Sequence, residues 1–162
     1  MPITLAVVHS ISLPPGRYGG PHIEQLFTNQ LDWAAHPYFE QIRGLAVSSH
    51  FVIRRDGEVI QFVSVLDRAW HAGTSSWQGL SNCNHHSVGI ELEGLEGDTF
   101  EAPQYLALRD LIWALNQAWP VHLVAGHEHI APGRKADPGP GFDWPWLRSK
   151  LRWPEHAFPA VF

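Results

Sequence analysis

The sequence contains a single cysteine, Cys83. No intramolecular disulfide can form and nothing marks adaptation to an oxidising compartment, so a cytoplasmic location is expected. Long apolar runs are also missing. The N-terminal stretch Leu5-Ala6-Val7-Val8 is cut short by His9, and no basic residue precedes it. It is far short of a spanning helix and lacks the charged start of a secretory signal, so no membrane association is expected. Positive charge is scarce as well: the formal net charge is −5 and no run of Lys or Arg occurs. A nucleic-acid partner is excluded on that ground, because backbone phosphates demand a basic face.

What is present is a globular composition, 44% hydrophobic and 17% charged over 162 residues. A chain of that size can bury its own core, and a single domain over residues 1–162, acting as a monomer, is expected. Eleven histidines are the conspicuous excess. Imidazole is both the commonest metal ligand and the usual acid–base group, so the question is which of the eleven converge.

Leu5-Ala6-Val7-Val8 reads as a central strand buried on both faces, delivering His9 to its C-terminal edge. Pro14 to Pro21, rich in proline and glycine, is a loop long enough to line a site. Two short amphipathic pieces follow, Ile23 to Phe27 and Tyr38 to Ile42. His50 to Arg54 and Glu58 to Val63 flank Asp56-Gly57, which signals an antiparallel hairpin. Ser87 to Glu93 alternates, placing Val88, Ile90 and Leu92 on a core face and Glu91 and Glu93 on a polar one. Pro103 to Trp119 has helical periodicity and stops at Pro120; Val121 to Ala125 is a further strand and Trp144 to Leu151 a last helix. Strands alternating with helices predict an α/β domain, a central mixed β-sheet flanked by helices.

Three residues stand out as a possible metal set: His9 at a strand end, His127 after a strand–glycine junction, and Asp137 in a Pro/Gly loop. Two neutral imidazoles and a carboxylate leave a fourth tetrahedral position open, as a catalytic zinc requires. Spacing alone does not exclude His129 or the His85-His86 pair, and Asp137 before Pro138 also reads as a turn residue. Glu91 would serve as general base beside such a metal, with Glu93 on the same face as its rival. Lys135, two residues before Asp137, could stabilise an oxyanion. Trp70-His71 could wall a sugar or peptide site or pack in the core.

The segments Val7–Gly16, Ile53–Gly57, Arg68–Gly73, Gly89–Gly94, Gly126-His127 and Arg134–Gly139 together resemble the type 2 N-acetylmuramoyl-L-alanine amidases. Within them the likeness is to the cytoplasmic AmpD-type enzymes that act on 1,6-anhydro-muropeptides, relatives of the peptidoglycan-recognition proteins. It spans about Val7 to about Leu147. The resemblance implies one zinc ion held by His9, His127 and Asp137, Glu91 rather than Glu93 as the catalytic carboxylate, and Lys135 as the oxyanion stabiliser. It also implies substrate contacts from Trp70, His71, Arg134 and His50, and an anhydro-muropeptide or peptidoglycan fragment as the ligand.

The chain departs from that pattern at Ser10, where Asn is expected, at Ala46 and Asn82, where Arg is expected, and at Glu128-His129, which replace a Cys-Asp pair. Only eight residues precede His9, where a longer leader is usual in these enzymes, so a short or trimmed form is expected. Other functions weighed are a wall-degrading amidase of phage type and a binding module that does not cut. A glycosidase using Glu91 and Glu93 is disfavoured, since carboxylates two apart on one strand project in parallel rather than across a bond.

Overall fold

The computed structural model describes residues 1–160. Its centre is a five-stranded mixed sheet in the order β3-β2-β6-β1-β7. These strands are β1 (Leu5–Ile11), β2 (Phe51–Ile53), β3 (Val59–Gln61), β6 (Ser87–Glu93) and β7 (Leu123–Gly126). β1 runs parallel to β6 and β7, β2 runs parallel to β6, and β3 closes the hairpin antiparallel to β2. A small separate hairpin, β4 (Ser76–Trp77) with β5 (Leu80–Ser81), is too short to carry a periodic signal and was not foreseen.

One sheet face packs on α3 (Ala102–Ala118) and α5 (Trp144–Leu151). Leu108, Ile112, Leu115 and Leu147 of the helices meet Ala6, Val8, Val88, Ile90 and Leu92 of the strands. Each such aliphatic side chain removed from water contributes about 1.5–3 kcal/mol, which is what holds the helices to the sheet. α3 is further fastened by Gln104, which is fully buried and whose amide donates to the carbonyls of Ile53 and Glu93. The helix therefore begins against the C-terminal ends of β2 and β6.

The opposite face is covered by short helices and loops. α1 (His22–Phe27) and α2 (Pro37–Gln41) bury Ile23, Leu26, Phe27 and Phe39 with Leu13 and Val52. Beside them, Leu5, Val7 and Ala125 pack on Ala72, Cys83 and Ile130, the last from α4 (His127–Ile130). None of the helices among the described residues is long and apolar enough to cross a membrane.

Two expectations need correction. β1 continues to Ile11 because β6 pairs alongside it as far as Glu93, so His9 lies inside the strand rather than at its edge. β6 has no solvent-facing side either: all seven of its residues are buried, with Glu91 8% and Glu93 2% exposed. A parallel strand flanked on both edges and covered on both faces buries even its polar residues.

Glu93 tolerates this because its carboxylate is fully engaged. It accepts from Arg54 Nη1 at 2.8 Å, from the Gly19 N–H at 2.9 Å and from the Arg55 N–H at 3.2 Å. Arg54 Nη2 in turn donates to Gly20 O and Glu24 Oε1. The loop before α1 is thereby tied to the end of β6. Removing one partner of a buried ion pair strands the other, so Glu93→Ala is expected to lower unfolding free energy by about 3–5 kcal/mol in urea denaturation, with Glu93→Gln losing less.

Candidate active site

The site opens on the sheet face turned away from α3, over the C-terminal halves of β1 and β6. Register builds it. His9 and Glu91 are direct partners across the β1–β6 ladder, so their side chains leave the same face side by side. On the other edge of β1, Val8 pairs with Gly126, and the next residue, His127, opens α4. Asp137 is brought back from the following loop, whose Asp137 carbonyl accepts the Glu128 N–H at 2.8 Å.

His9 Nδ1 and His127 Nδ1 lie 3.0 Å apart. Asp137 closes the triangle, Oδ2 3.3 Å from His9 Nδ1 and Oδ1 3.3 Å from His127 Nδ1. These are close to the edges of a tetrahedron with Zn–N bonds of ~2.0–2.1 Å, which are about 3.3 Å long. The donor chemistry agrees. His127 Nε2 is 3.0 Å from the Ala72 carbonyl, which can only accept, so the proton sits on Nε2 and Nδ1 presents a lone pair. Lone pairs and a carboxylate crowded together need positive charge among them, and a divalent cation supplies it. Among the described residues this trio is the one group of histidine, cysteine and acidic side chains close enough to hold a metal.

Burial raises the Asp137 carboxyl, but hydrogen bonds and charge from His127 and His9 outweigh it and hold Asp137 far below the usual carboxylate range. Burial also lowers His9, against the pull of Asp137. Glu91 goes the other way. Burial pushes it well above the ordinary value, the Asp137 charge adds to this, and Lys135 opposes it. Its Oε1 is 3.8 Å from His9 Nδ1, and its Oε2 is buried with no protein partner.

These groups form the floor of a cleft of about 380 Å³, within the range of small-molecule sites. Its walls are mostly apolar, from Ile11, Leu13, Phe27, Tyr38 and Val47, with Trp70, 57% exposed, at the rim and Lys135 its one cationic side chain. Arg68 stacks on Trp70, its guanidinium carbon 5.0 Å from the ring centre.

The sequence model described as N-acetylmuramoyl-L-alanine amidase matches residues 1–140. The chain belongs to the N-acetylmuramoyl-L-alanine amidase family. It is 51% identical over 147 residues to the 1,6-anhydro-N-acetylmuramyl-L-alanine amidase AmpD of Escherichia coli, covering 90% of this chain and 80% of that one. The crystal structure of a selenomethionine AmpD derivative superposes with a TM-score of 0.89 at 50% identity, covering 93% of this chain and 85% of that one. A complex of Escherichia coli AmiD with anhydro-N-acetylmuramic acid-L-Ala-D-γ-Glu-L-Lys gives a TM-score of 0.69 at 27% identity, covering 92% of this chain and 57% of that one. The chain is an AmpD-type amidase, an enzyme that hydrolyses amide bonds.

Not every expected residue of this amidase reaches the cleft. His50 is buried with both ring nitrogens in use, Nδ1 accepting the Gly89 N–H and Nε2 donating to the Asp67 carbonyl, and it does not line the cleft. Arg134 lies outside the lining too. Its guanidinium donates to the Ala72 and Thr74 carbonyls, clamping that backbone instead of facing a ligand. Of the rival metal ligands, His129 Nδ1 accepts the Gly126 N–H, and His85 and His86 lie outside the cleft. Ser10 holds Asp137 through its main-chain N–H, 3.4 Å from Oδ2, while its hydroxyl is buried without a partner. Ser87 and Asn84, which support the histidines from behind, were not foreseen; the glycine inside β6, Gly89, is the signal that pointed there.

A raised carboxyl destabilises the folded state once it must ionise. Its stability contribution is present below the unfolded value and lost as pH rises through the folded one. In the metal-free protein, Glu91→Gln is therefore expected to be more stable than the parent, by a margin that vanishes near pH 4 and grows above it, as urea titrations across pH will read.

Proposed function

We propose that this chain is a zinc-dependent amidase that cuts the amide bond between the lactyl group of 1,6-anhydro-N-acetylmuramic acid and L-alanine of a soluble muropeptide, in cytoplasmic cell-wall recycling. The observation that carries the reading is the pairing of a two-imidazole, one-carboxylate donor set with a buried carboxyl, Glu91, whose Oε2 has no protein partner. Similarity to AmpD supports the anhydro-muropeptide, and a single buried free thiol, Cys83, fits a reducing compartment.

His9, His127 and Asp137 would hold the zinc, which when bound supplies Lewis acidity toward the scissile carbonyl and toward water. Glu91 takes the proton of the attacking water and returns it to the alanine nitrogen as the C–N bond breaks. Its place suits it to both halves, with Oε1 3.8 Å from His9 Nδ1 and Oε2 free of any protein partner. Lys135, on the cleft wall, faces the developing oxyanion with its ammonium, and Trp70 offers its ring to the sugar or peptide at the rim.

Mass spectrometry of products from anhydromuramyl-tripeptide and from intact sacculi, incubated in parallel with zinc-loaded protein, tests the substrate. Free tripeptide from the soluble substrate alone is expected. Peptides released from sacculi would instead make this a wall-degrading amidase, and cleavage of neither would make it a binding module. Chelation should abolish turnover and zinc should restore it. Glu91→Gln should lower kcat by about 10²–10⁴-fold, and Lys135→Met should lower it by about 10²–10³-fold with KM changing less.

A further inference from the structure

The cleft accounts for one nitrogen of each metal-facing imidazole and leaves open what fixes the other. For His127 the partner is the Ala72 carbonyl. For His9 it is a second histidine: His9 Nε2 lies 2.9 Å from His71 Nδ1. Two imidazole nitrogens at that distance need one proton between them, and either could carry it. The rest of the chain decides. Ser87 Oγ donates its hydrogen to the Cys83 carbonyl at 2.5 Å, so it has only lone pairs for the nitrogen of His71 3.1 Å away. His71 must then carry its proton on Nε2, which leaves Nδ1 bare. A bare Nδ1 accepts from His9 Nε2–H, and His9 in turn presents a bare Nδ1 to the metal side.

We propose that Ser87 and His71 form a relay, Cys83 O to Ser87 to His71 to His9, that fixes His9 in the Nε2–H tautomer so that its Nδ1 lone pair is always available to the metal. Both are positioning residues. This rests on the zinc reading above and reassigns His71, whose two ring nitrogens are both consumed and offer nothing to a substrate.

Three further features hold the relay in place. The His71 ring lies on Gly89 of β6, where an added Cβ would sit 2.5 Å from His71 Cγ, so only glycine leaves the slot. Ser87 and Glu91 flank that glycine on the same strand face, which puts the end of the relay and the acid–base carboxyl in one row. Asn84 Oδ1 accepts the N–H groups of both His71 and Ala72, at 3.1 and 2.9 Å. One dipeptide thus orients both imidazoles, by its side chain at residue 71 and by its carbonyl at residue 72.

Partners that orient a ligating histidine are worth roughly 10–100-fold in metal affinity. Two readouts test the relay: zinc affinity at pH 7.5 by competition with a chromophoric chelator, and two-bond ¹H–¹⁵N correlation of the histidine rings in metal-free protein. The parent should bind zinc and show His9 as the Nε2–H tautomer. His71→Phe keeps a ring on Gly89 but removes both nitrogens. It should mix the His9 tautomers and weaken zinc by about 10–100-fold. Ser87→Ala should weaken zinc less, and Ser87→Thr, which keeps the hydroxyl, should restore it. A purely structural role would lower the Tm of the metal-free variants while leaving zinc affinity and the His9 tautomer of the folded protein unchanged. That result, or affinities within about twofold of the parent for His71→Phe and Ser87→Ala, overturns the relay. If His71→Phe does not fold, Ser87→Ala decides alone. If the parent itself binds no zinc, the metal reading fails, and the His9 tautomer in Ser87→Ala still judges the relay.

Discussion

The site depends on the parallel register between β1 and β6, which sets His9 opposite Glu91 on the face turned away from α3. Side chains alternate along a strand, so a slip of β1 by one residue would carry His9 into the aliphatic layer with Ile90 and away from Glu91. That layer enforces the register, because Ala6, Val8, Val88, Ile90 and Leu92 are buried against the long helix only in the observed pairing. The aliphatic side of the sheet therefore specifies the polar side. His9 and Glu91 need no loop to find one another.

The same strand face shows how environment divides residues of one type. Glu91 and Glu93 are two apart, both buried, and opposite in condition. Glu93 is saturated by Arg54 and two main-chain N–H groups and serves as a structural tie. Glu91 lacks such donors, and burial first, then the negative Asp137, raises its proton affinity.

Much of this was legible in the sequence. The apolar run at Leu5–Val8, the Asp56-Gly57 turn and the helix from Ala102 fell where periodicity and turn chemistry put them, within a few residues. His9, His127 and Asp137 converge as the family likeness implied. What escaped were matters of tertiary context. Alternation in β6 marked a core face and a polar face, and a strand pattern does not show that loops and α1 cover the polar one. The family likeness implied substrate contacts from His50 and Arg134, and it does not show that Gly89 and Asp67 hold the His50 ring or that Ala72 and Thr74 take the Arg134 Nη2. The four residues of β4 and β5 fall below any periodic signal.

The tie between Glu93 and the loop before α1 makes β6 a ruler. The carboxyl at the cleft floor and the anchor of one cleft wall are two residues apart on a single strand, about 6.6 Å, so their separation is fixed by backbone geometry. The Arg54 guanidinium transmits it to Gly20 and Glu24. Residues 45–48 and Trp70, on the outer rim, are outside this tie. Within such a frame, substitutions at the rim can reshape what it accepts while the gap between that wall and the cleft floor stays as the strand sets it.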